Sequence, residues 1–492
     1  MTIHRFPAAD LSVAPLSAST TPRRPRPRVV GMRTQVPLFD GNRVRYVNLD
    51  SAASTPALVQ VQQAVEKFLP WYASVHRGAG YKSRLSTHLY EHAREVVLTF
   101  VGASVASHEV VFVRNTTEAL NVLAHRVFLE PGELILTSRL EHHSNFLPWY
   151  QRPYEVIELT PDGRIDLDDL ERRLVTHAGK VRLVSVSAAS NVTGVLTDVH
   201  AVARLAHAHG ALIAADIAQL APHRPVAMGT LGDPERLDIV AFSGHKLYAP
   251  YGTGVLVIPH TLFAEGAPML VGGGSACLVT REGIVWASGS DHHEEAGSPN
   301  VIGAIALAAA LEALMGYGME RVAEHERELT RYAIRHLCQI PGLISYGPSW
   351  QNFLDGKEDR LGVFAFTLPQ RPYAEIAAIL AHEWGIGVRS GCFCAHQYVA
   401  HLLGISDEDS QEARERLVSG LPVDLPGMVR ASFGIASSRA DIDRLVEGLQ
   451  AIACGNVQAT YITSPAGDVE PENADDAFLA HGEQFLSPAR WI

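Results

Sequence analysis

Lys246 stands in the run Ala-Phe-Ser-Gly-His-Lys-Leu-Tyr-Ala-Pro-Tyr-Gly-Thr-Gly at 241–254, where an apolar strand pattern ends among small residues. A lysine amine with its ordinary pKa of about 10.4 is charged at neutral pH and a poor nucleophile, whereas burial lowers that value and lets the amine condense with an aldehyde. The aldehyde implied is pyridoxal phosphate. Alone, Lys246 reads equally well as a solvated residue closing a strand; its neighbours argue otherwise. Ser243 and His245 flank it with donors suited to a phosphate. Upstream, Ala-Leu-Ile-Ala-Ala-Asp at 211–216 puts Asp216 at the end of an apolar strand pattern. A carboxylate there can keep a pyridinium nitrogen protonated, which makes the ring an electron sink. Gln219, three residues on, is within reach of the ring hydroxyl. Arg114-Asn-Thr-Thr-Glu follows a strand pattern at 110–113 and opens a helix pattern, so Thr116 and Thr117 sit where N–H groups and hydroxyls converge on an anion. Each piece is common by itself; their order and spacing together specify a cofactor site.

Further segments fall in the same order: Asn48-Leu-Asp-Ser-Ala-Ala-Ser54, Val75-His-Arg-Gly78, Glu141-His-His-Ser-Asn145, Ser190-Asn-Val-Thr-Gly194, Gly272-Gly-Gly-Ser275, Glu295-Ala-Gly-Ser-Pro-Asn300, Arg389-Ser-Gly-Cys-Phe-Cys-Ala395 and Arg430-Ala-Ser432. With them, the chain from about residue 46 to about residue 454 resembles a class V aminotransferase-fold enzyme of the cysteine desulfurase and selenocysteine lyase family. The resemblance implies a pyridoxal phosphate enzyme of fold type I, an α/β large domain with a mainly parallel sheet of the seven-stranded type and a smaller α+β C-terminal domain. It implies a homodimer as well. By the same resemblance His142 lies over the cofactor ring and shuttles protons, Asn191 lies near the ring oxygen, and Arg389 and Arg430 are near the substrate, where a guanidinium fork suits an α-carboxylate. Ser298 is expected at the phosphate of the neighbouring subunit, with His76 and Arg77 approaching the partner's site.

Cys394 carries the chemistry beyond the cofactor. Cutting the carbon–sulfur bond of cysteine and carrying the sulfur away needs a second thiolate to receive it, and cysteine is intrinsically very nucleophilic. Arg389 to Cys394 keeps the five-residue spacing of the family motif. The expected reaction turns L-cysteine into L-alanine with a persulfide on Cys394, selenocysteine being a further substrate to test and a sulfur-acceptor protein a further partner. A carbon–sulfur lyase, aminotransferase or epimerase for a specialised amino acid is the alternative on the same scaffold. Cys392 stands where related enzymes commonly have histidine or another residue. Cys-x-Cys is too close for an unstrained disulfide, and zinc would need more ligands at familiar spacings, so no metal is expected. Cys277, Cys338 and Cys454 read as buried small hydrophobes, and His292-His293 as a surface or turn feature.

At 492 residues the chain exceeds what one core fills, so two domains and tails are expected. A net charge of −12 argues against nucleic acid as a partner, and five cysteines without disulfide spacing suggest a reducing cytoplasm. No apolar stretch makes a convincing membrane helix: the alanine-rich run at 301–315 contains Glu312. Residues 1–45, with Thr21-Pro-Arg-Arg-Pro-Arg-Pro-Arg28, read as a flexible leader without the apolar core of a signal peptide. Residues 46–316 read as the large domain: helices near 56–69, 87–100 and 199–209, and strands near 110–113, 134–137, 181–186, 212–215, 239–242 and 254–258. Ser298 and Pro299 are expected to cap a helix running to about 316. Residues 317–455 read as the small domain, with strands near 343–346, 362–367 and 428–432, and 456–492 as a loose acidic tail in which Trp491-Ile492 could dock. Between Cys394 and Arg430 a helix-like insertion at 407–416 exceeds the link expected in shorter relatives.

Overall fold

Six strands running in one direction and a seventh running against them form the central sheet. The computed structural model describes residues 25–263, 266–287, 294–423, 425–464, 467–473 and 477–486. Strands β1 (His108–Val113), β2 (Leu134–Ser138), β3 (Tyr154–Ile157), β4 (Val181–Ser187), β5 (Leu212–Asp216), β6 (Ile239–Ser243) and β7 (Gly254–Pro259) lie in the spatial order β1-β7-β6-β5-β4-β2-β3. β7 is antiparallel to both its neighbours, and the other pairs are parallel.

Side chains alternate across a strand, so a sheet covered on both faces needs apolar residues in succession. β6 meets that demand: Val240 and Phe242 enter one core, Ile239 and Ala241 the other. Helices Val59–Phe68 and Tyr81–Val101 pack with Val301–Tyr317 on the first face. Helix Thr116–Arg126 covers the second through Ala119, Leu120 and Leu123. The alanine-rich run is thus a core helix, and among the described residues no single helix is long and apolar enough to cross a membrane.

A second core belongs to the C-terminal part. There Ile344–Ser345, Val363–Thr367, Met428–Ser432 and Arg389–Gly391 form, in that order, an antiparallel sheet. Phe364, Phe366 and Val429 meet Leu329, Ile334, Ile379 and Leu445 from helices Met319–Leu337, Tyr373–Trp384 and Arg439–Ala453.

Several segments differ from the sequence expectation. The helix expected at 87–100 begins at Tyr81, because two inward positions of its first turns are Ser83 and Ser86, buried but not apolar. Strand β3 escaped notice, and Cys277, Cys338 and Cys454, expected to be buried, are exposed. Part of the expected leader is ordered, since Gln35–Pro37 pairs with Arg43–Arg45; at the start of the expected large domain Val47–Asn48 pairs with Ile386–Gly387, and Val47 and Leu49 enter the C-terminal core. Residues 35–49 therefore pack with the C-terminal part of the chain, which the boundary at 46 did not anticipate. In the expected loose tail, Tyr461–Thr463 pairs with Val469–Pro471, and Glu383 accepts from the amides of Gln458 and Ala459 and the hydroxyl of Tyr461. The helix from Val301 is capped by Asn300, whose side chain accepts from the Gly303 amide at 2.9 Å, and not by Ser298 and Pro299. Residues 1–24, His292-His293 and Trp491-Ile492 lie outside the described residues.

Candidate active site

Because six strands point the same way, their carboxyl ends share one edge, and five of them deliver a candidate residue there. β1 leads to Thr116 and Thr117, β2 to His142, β4 to Asn191, β5 to Asp216 and Gln219, and β6 to Ser243, His245 and Lys246. All of these line a cavity of about 310 Å³ together with Arg389, Phe393, Cys394 and Arg430 from the C-terminal part.

One end of the cavity is a cradle of donors. Asn115 caps helix Thr116–Arg126 by accepting from the Glu118 amide at 3.0 Å. Gly254 permits that helix start to lie against the sheet, since a Cβ there would stand 2.5 Å from the Asn115 backbone. The Thr116 amide donates to Ser243 Oγ at 2.8 Å, with the two hydroxyls 2.6 Å apart, and the Thr117 hydroxyl meets Ser144 Oγ at 2.7 Å. Hydroxyls and amide donors at a helix N-terminus are the chemistry a phosphate requires.

Lys246 sits beyond that cradle, half-buried, its amine facing the cavity. Burial pushes the amine down to about 8; Asp216 and Cys394 pull it up and Arg430 pushes it further down. A substantial neutral fraction at neutral pH is what attack on an aldehyde needs. Asp216 is buried, and its Oδ1 accepts from the Ala218 amide at 2.9 Å. Burial holds its carboxyl above the ordinary range, opposed by the Lys246 charge and that amide. Gln219 donates to the Ala52 carbonyl at 2.7 Å.

His142 accepts from the Ser144 amide through Nδ1 at 3.1 Å, so the ring proton sits on Nε2. Burial, with Lys246, His143 and Arg430 nearby, pushes the imidazole down to about 3, and His245 falls to about 4 through burial and Lys246. Beneath the loop, Glu141 is fully enclosed and accepts from Ser138, Asn145 and Ser187, and burial raises its carboxyl to about 7.

Cys394 closes the cavity from the C-terminal side. Its carbonyl accepts from the His143 amide at 2.7 Å, and Asn191 Nδ2 donates to the Phe393 carbonyl at 2.7 Å. Phe393 and Cys394 both hold φ of 54°, a left-handed conformation uncommon outside glycine, which turns the chain sharply at the thiol. Arg430 donates from Nη1 to the Asn191 carbonyl at 2.9 Å and lies over the Phe393 ring at 5.0 Å. Its Nε is buried with no hydrogen-bond partner.

The structure gathers all the expected site residues in one cavity except Ser298, which is exposed and does not line it within this chain. His76 is half-buried and meets Glu91 at 3.0 Å, and Arg77 is exposed; neither lines the cavity. Asp50, given no role from sequence, binds both Arg389 and Arg430. Asn115, Ser144 and Ser187 also line the cavity or its cradle, and two of them sat unremarked in the quoted motifs.

Comparison with known proteins agrees with this geometry. Residues 47–445 match the aminotransferase class-V family model. A cysteine desulfurase of Escherichia coli O127:H6 is 35% identical over 415 residues, covering 82% of this chain and 92% of that protein. An apo cysteine desulfurase structure from Thermococcus onnurineus NA1 aligns with a TM-score of 0.71 at 31% identity, over 83% of this chain and 95% of that one. The structure of a cysteine desulfurase from Escherichia coli in its S-sulfonic acid form aligns with a TM-score of 0.69 at 30% identity, over 84% and 96%. Motif order, sheet topology and site geometry thus lead to one assignment: the chain belongs to the class-V aminotransferase family.

Proposed function

We propose that this protein is a pyridoxal phosphate-dependent cysteine desulfurase, converting L-cysteine to L-alanine and holding the sulfur as a persulfide on Cys394. The observation that carries the reading is that Cys394 lines the same cavity as Lys246, Asp216, Arg389 and Arg430. The residues present fit the cofactor. Lys246 has a lowered pKa for linkage, Asp216 lies at the strand end for the ring nitrogen, and Thr116, Thr117, Ser243 and His245 supply phosphate donors. Asn191, Gln219 and His142 remain for the ring oxygen and ring face. The bound cofactor supplies an electron sink for charge developing on the substrate carbons.

The chain's own residues do the rest. The unpartnered Nε of Arg430, with Arg389 beside it, offers donors to the substrate carboxylate. Lys246, near pKa 8, takes and returns the proton at the α-carbon. His142 remains neutral among the surrounding cations, so its part is to present Nε2–H and, for each proton it takes, to release it again. The Cys394 thiolate attacks the substrate sulfur: a sulfur–sulfur bond forms, the carbon–sulfur bond breaks, and its electron pair stays with the substrate carbon, which is then protonated to give alanine.

Incubation of cofactor-loaded protein with L-cysteine and a reductant tests this. Alanine together with sulfide is expected; pyruvate in place of alanine marks a carbon–sulfur lyase, and neither product marks a specialised amino acid. Selenocysteine belongs in the same assay as a second substrate. A homodimer is the assembly we infer, with Ser298, His76 and Arg77 of each subunit available to the other's site because they lie outside their own cavity. A reduced cytoplasm suits five cysteines without a disulfide among them, and a thiol-bearing acceptor protein suits an exposed Cys394.

A further inference from the structure

Cys392 and Cys394 are two residues apart, but they serve different spaces. Cys394 lines the cofactor cavity. Cys392 lines a second groove of about 850 Å³, which shares no lining residue with the first, among Tyr373, His396, Ala413, Leu417 and Pro426. One wall of the groove is the helix Asp407–Val418, none of whose residues is buried. Its attachment to the rest of the fold includes an Arg139–Asp407 ion pair at 3.0 Å. A helix that contributes nothing to a core, yet walls a groove containing a thiol, is accounted for if that thiol is used.

We propose that Cys392 is a second sulfur-carrying site, which takes the persulfide sulfur from Cys394 and presents it in the outer groove to an incoming thiol. The proposal rests on the desulfurase reading of the cavity. The Cys392 thiolate attacks the outer sulfur of the Cys394 persulfide; one sulfur–sulfur bond forms as another breaks. Cys394 leaves as the thiolate and gains the proton that Cys392 gave up, so no oxidant or reductant is consumed. Attack on the inner sulfur would instead close a Cys392–Cys394 disulfide and expel sulfide, and two cysteines this close in sequence cannot make that bond without strain. Transfer of the outer sulfur puts an extra atom between the two thiols and avoids the constraint.

Local geometry agrees. The Cys392 thiol donates to the Pro426 carbonyl, 2.7 Å away, which holds it as an intact, oriented thiol at the groove floor. Burial raises its pKa and negative charge on Cys394 raises it further, so Cys392 rests as the thiol and gives up its proton only as it attacks. The Cys394 carbonyl remains tethered to the His143 amide and the Phe393 carbonyl to Asn191, so the sulfur crosses the loop while the backbone stays fixed.

The test uses the full-length holoenzyme, one equivalent of ³⁵S-labelled L-cysteine and no reductant, followed by alkylation and peptide mapping. Label is expected on both Cys392 and Cys394 in the wild type, appearing first on Cys394. Cys394→Ser should label neither position, because Cys392 is loaded only through Cys394. In Cys392→Ser all label should remain on Cys394. Wild-type label confined to Cys394 overturns the relay. Absence of both alanine and label from the wild type instead defeats the underlying desulfurase reading, so the two failures are told apart.

Discussion

Arg389 and Arg430 stand directly opposite each other on adjacent antiparallel strands, and one carboxylate holds both. Asp50 Oδ1 lies 2.8 Å from Arg430 Nη2, and its Oδ2 lies 3.0 Å from Arg389 Nη2. The arginines differ in setting: the Arg430 side chain is 3% exposed and that of Arg389 52%. Arg430 is thus the fixed half of the clamp and Arg389 the adaptable half.

Arg430→Lys keeps the charge but loses the fork that serves the Asn191 carbonyl, Asp50 and the free Nε position together. The protein should remain yellow while its KM for L-cysteine rises roughly tenfold or more, about 1.4 kcal/mol. Steady-state kinetics at saturating cofactor reads this directly. Asp50→Ala should lower stability by about 1–3 kcal/mol, since a buried charged donor loses its acceptor. The denaturant midpoint is the measurement, and an unmoved midpoint shows that the carboxylate does not hold Arg430.

Lys246 makes a prediction with a pH sign. Its amine titrates near 8, below the ordinary lysine value, and only the neutral form attacks an aldehyde. Reconstitution of cofactor-free protein should therefore quicken as pH rises through 8 and level off above about 9. A rate still climbing toward pH 10.5 would mean a solvated lysine. Lys246→Ala should abolish the visible absorption of the linked cofactor.

Asp216→Asn removes a charge at the end of β5 while keeping an amide of the same shape. The variant should retain cofactor and lose turnover by roughly 100-fold, the scale expected when one preorganised electrostatic group is neutralised. Near wild-type turnover at saturating cofactor would dissociate Asp216 from the ring nitrogen.

Cys394→Ser should bind cofactor and take up L-cysteine, as seen in the visible spectrum, because Lys246, Arg389 and Arg430 are untouched. Alanine and the protein-bound persulfide should disappear together. Selenocysteine turnover should survive better, since a selenol ionises more readily and its carbon bond is weaker. Full alanine production from L-cysteine by this variant refutes Cys394 as the sulfur acceptor.

What the sequence by itself determined was set by local rules. Asp216 and Ser243 close apolar strands, Thr116 follows an N-cap, and Lys246 comes three residues after a strand; unbroken apolar runs and capping act over a few residues and are readable there. All nine expected strands fell within two residues of expectation at both ends for the same reason. Where local rules were silent, the reading failed. Ser83 and Ser86 hid the first turns of a helix because they are buried without being apolar. The hairpin at 35–45 and the pairing of Val47–Asn48 with Ile386–Gly387 depend on partners that only the folded chain brings near.

Tertiary structure alone decided how the catalytic parts are held. Asp50 reaches Arg389 and Arg430 across 339 and 380 residues of sequence, and Asn191 reaches the carbonyl before Cys394 across 202. Such contacts are set by which strands end on the same edge and how the second core seats against them, and no spacing along the chain encodes them. Which cavity each thiol of the Cys-x-Cys pair lines is of the same kind. The loop that carries them is pinned at the carbonyls of Phe393 and Cys394, and the donors come from elements more than 200 residues away.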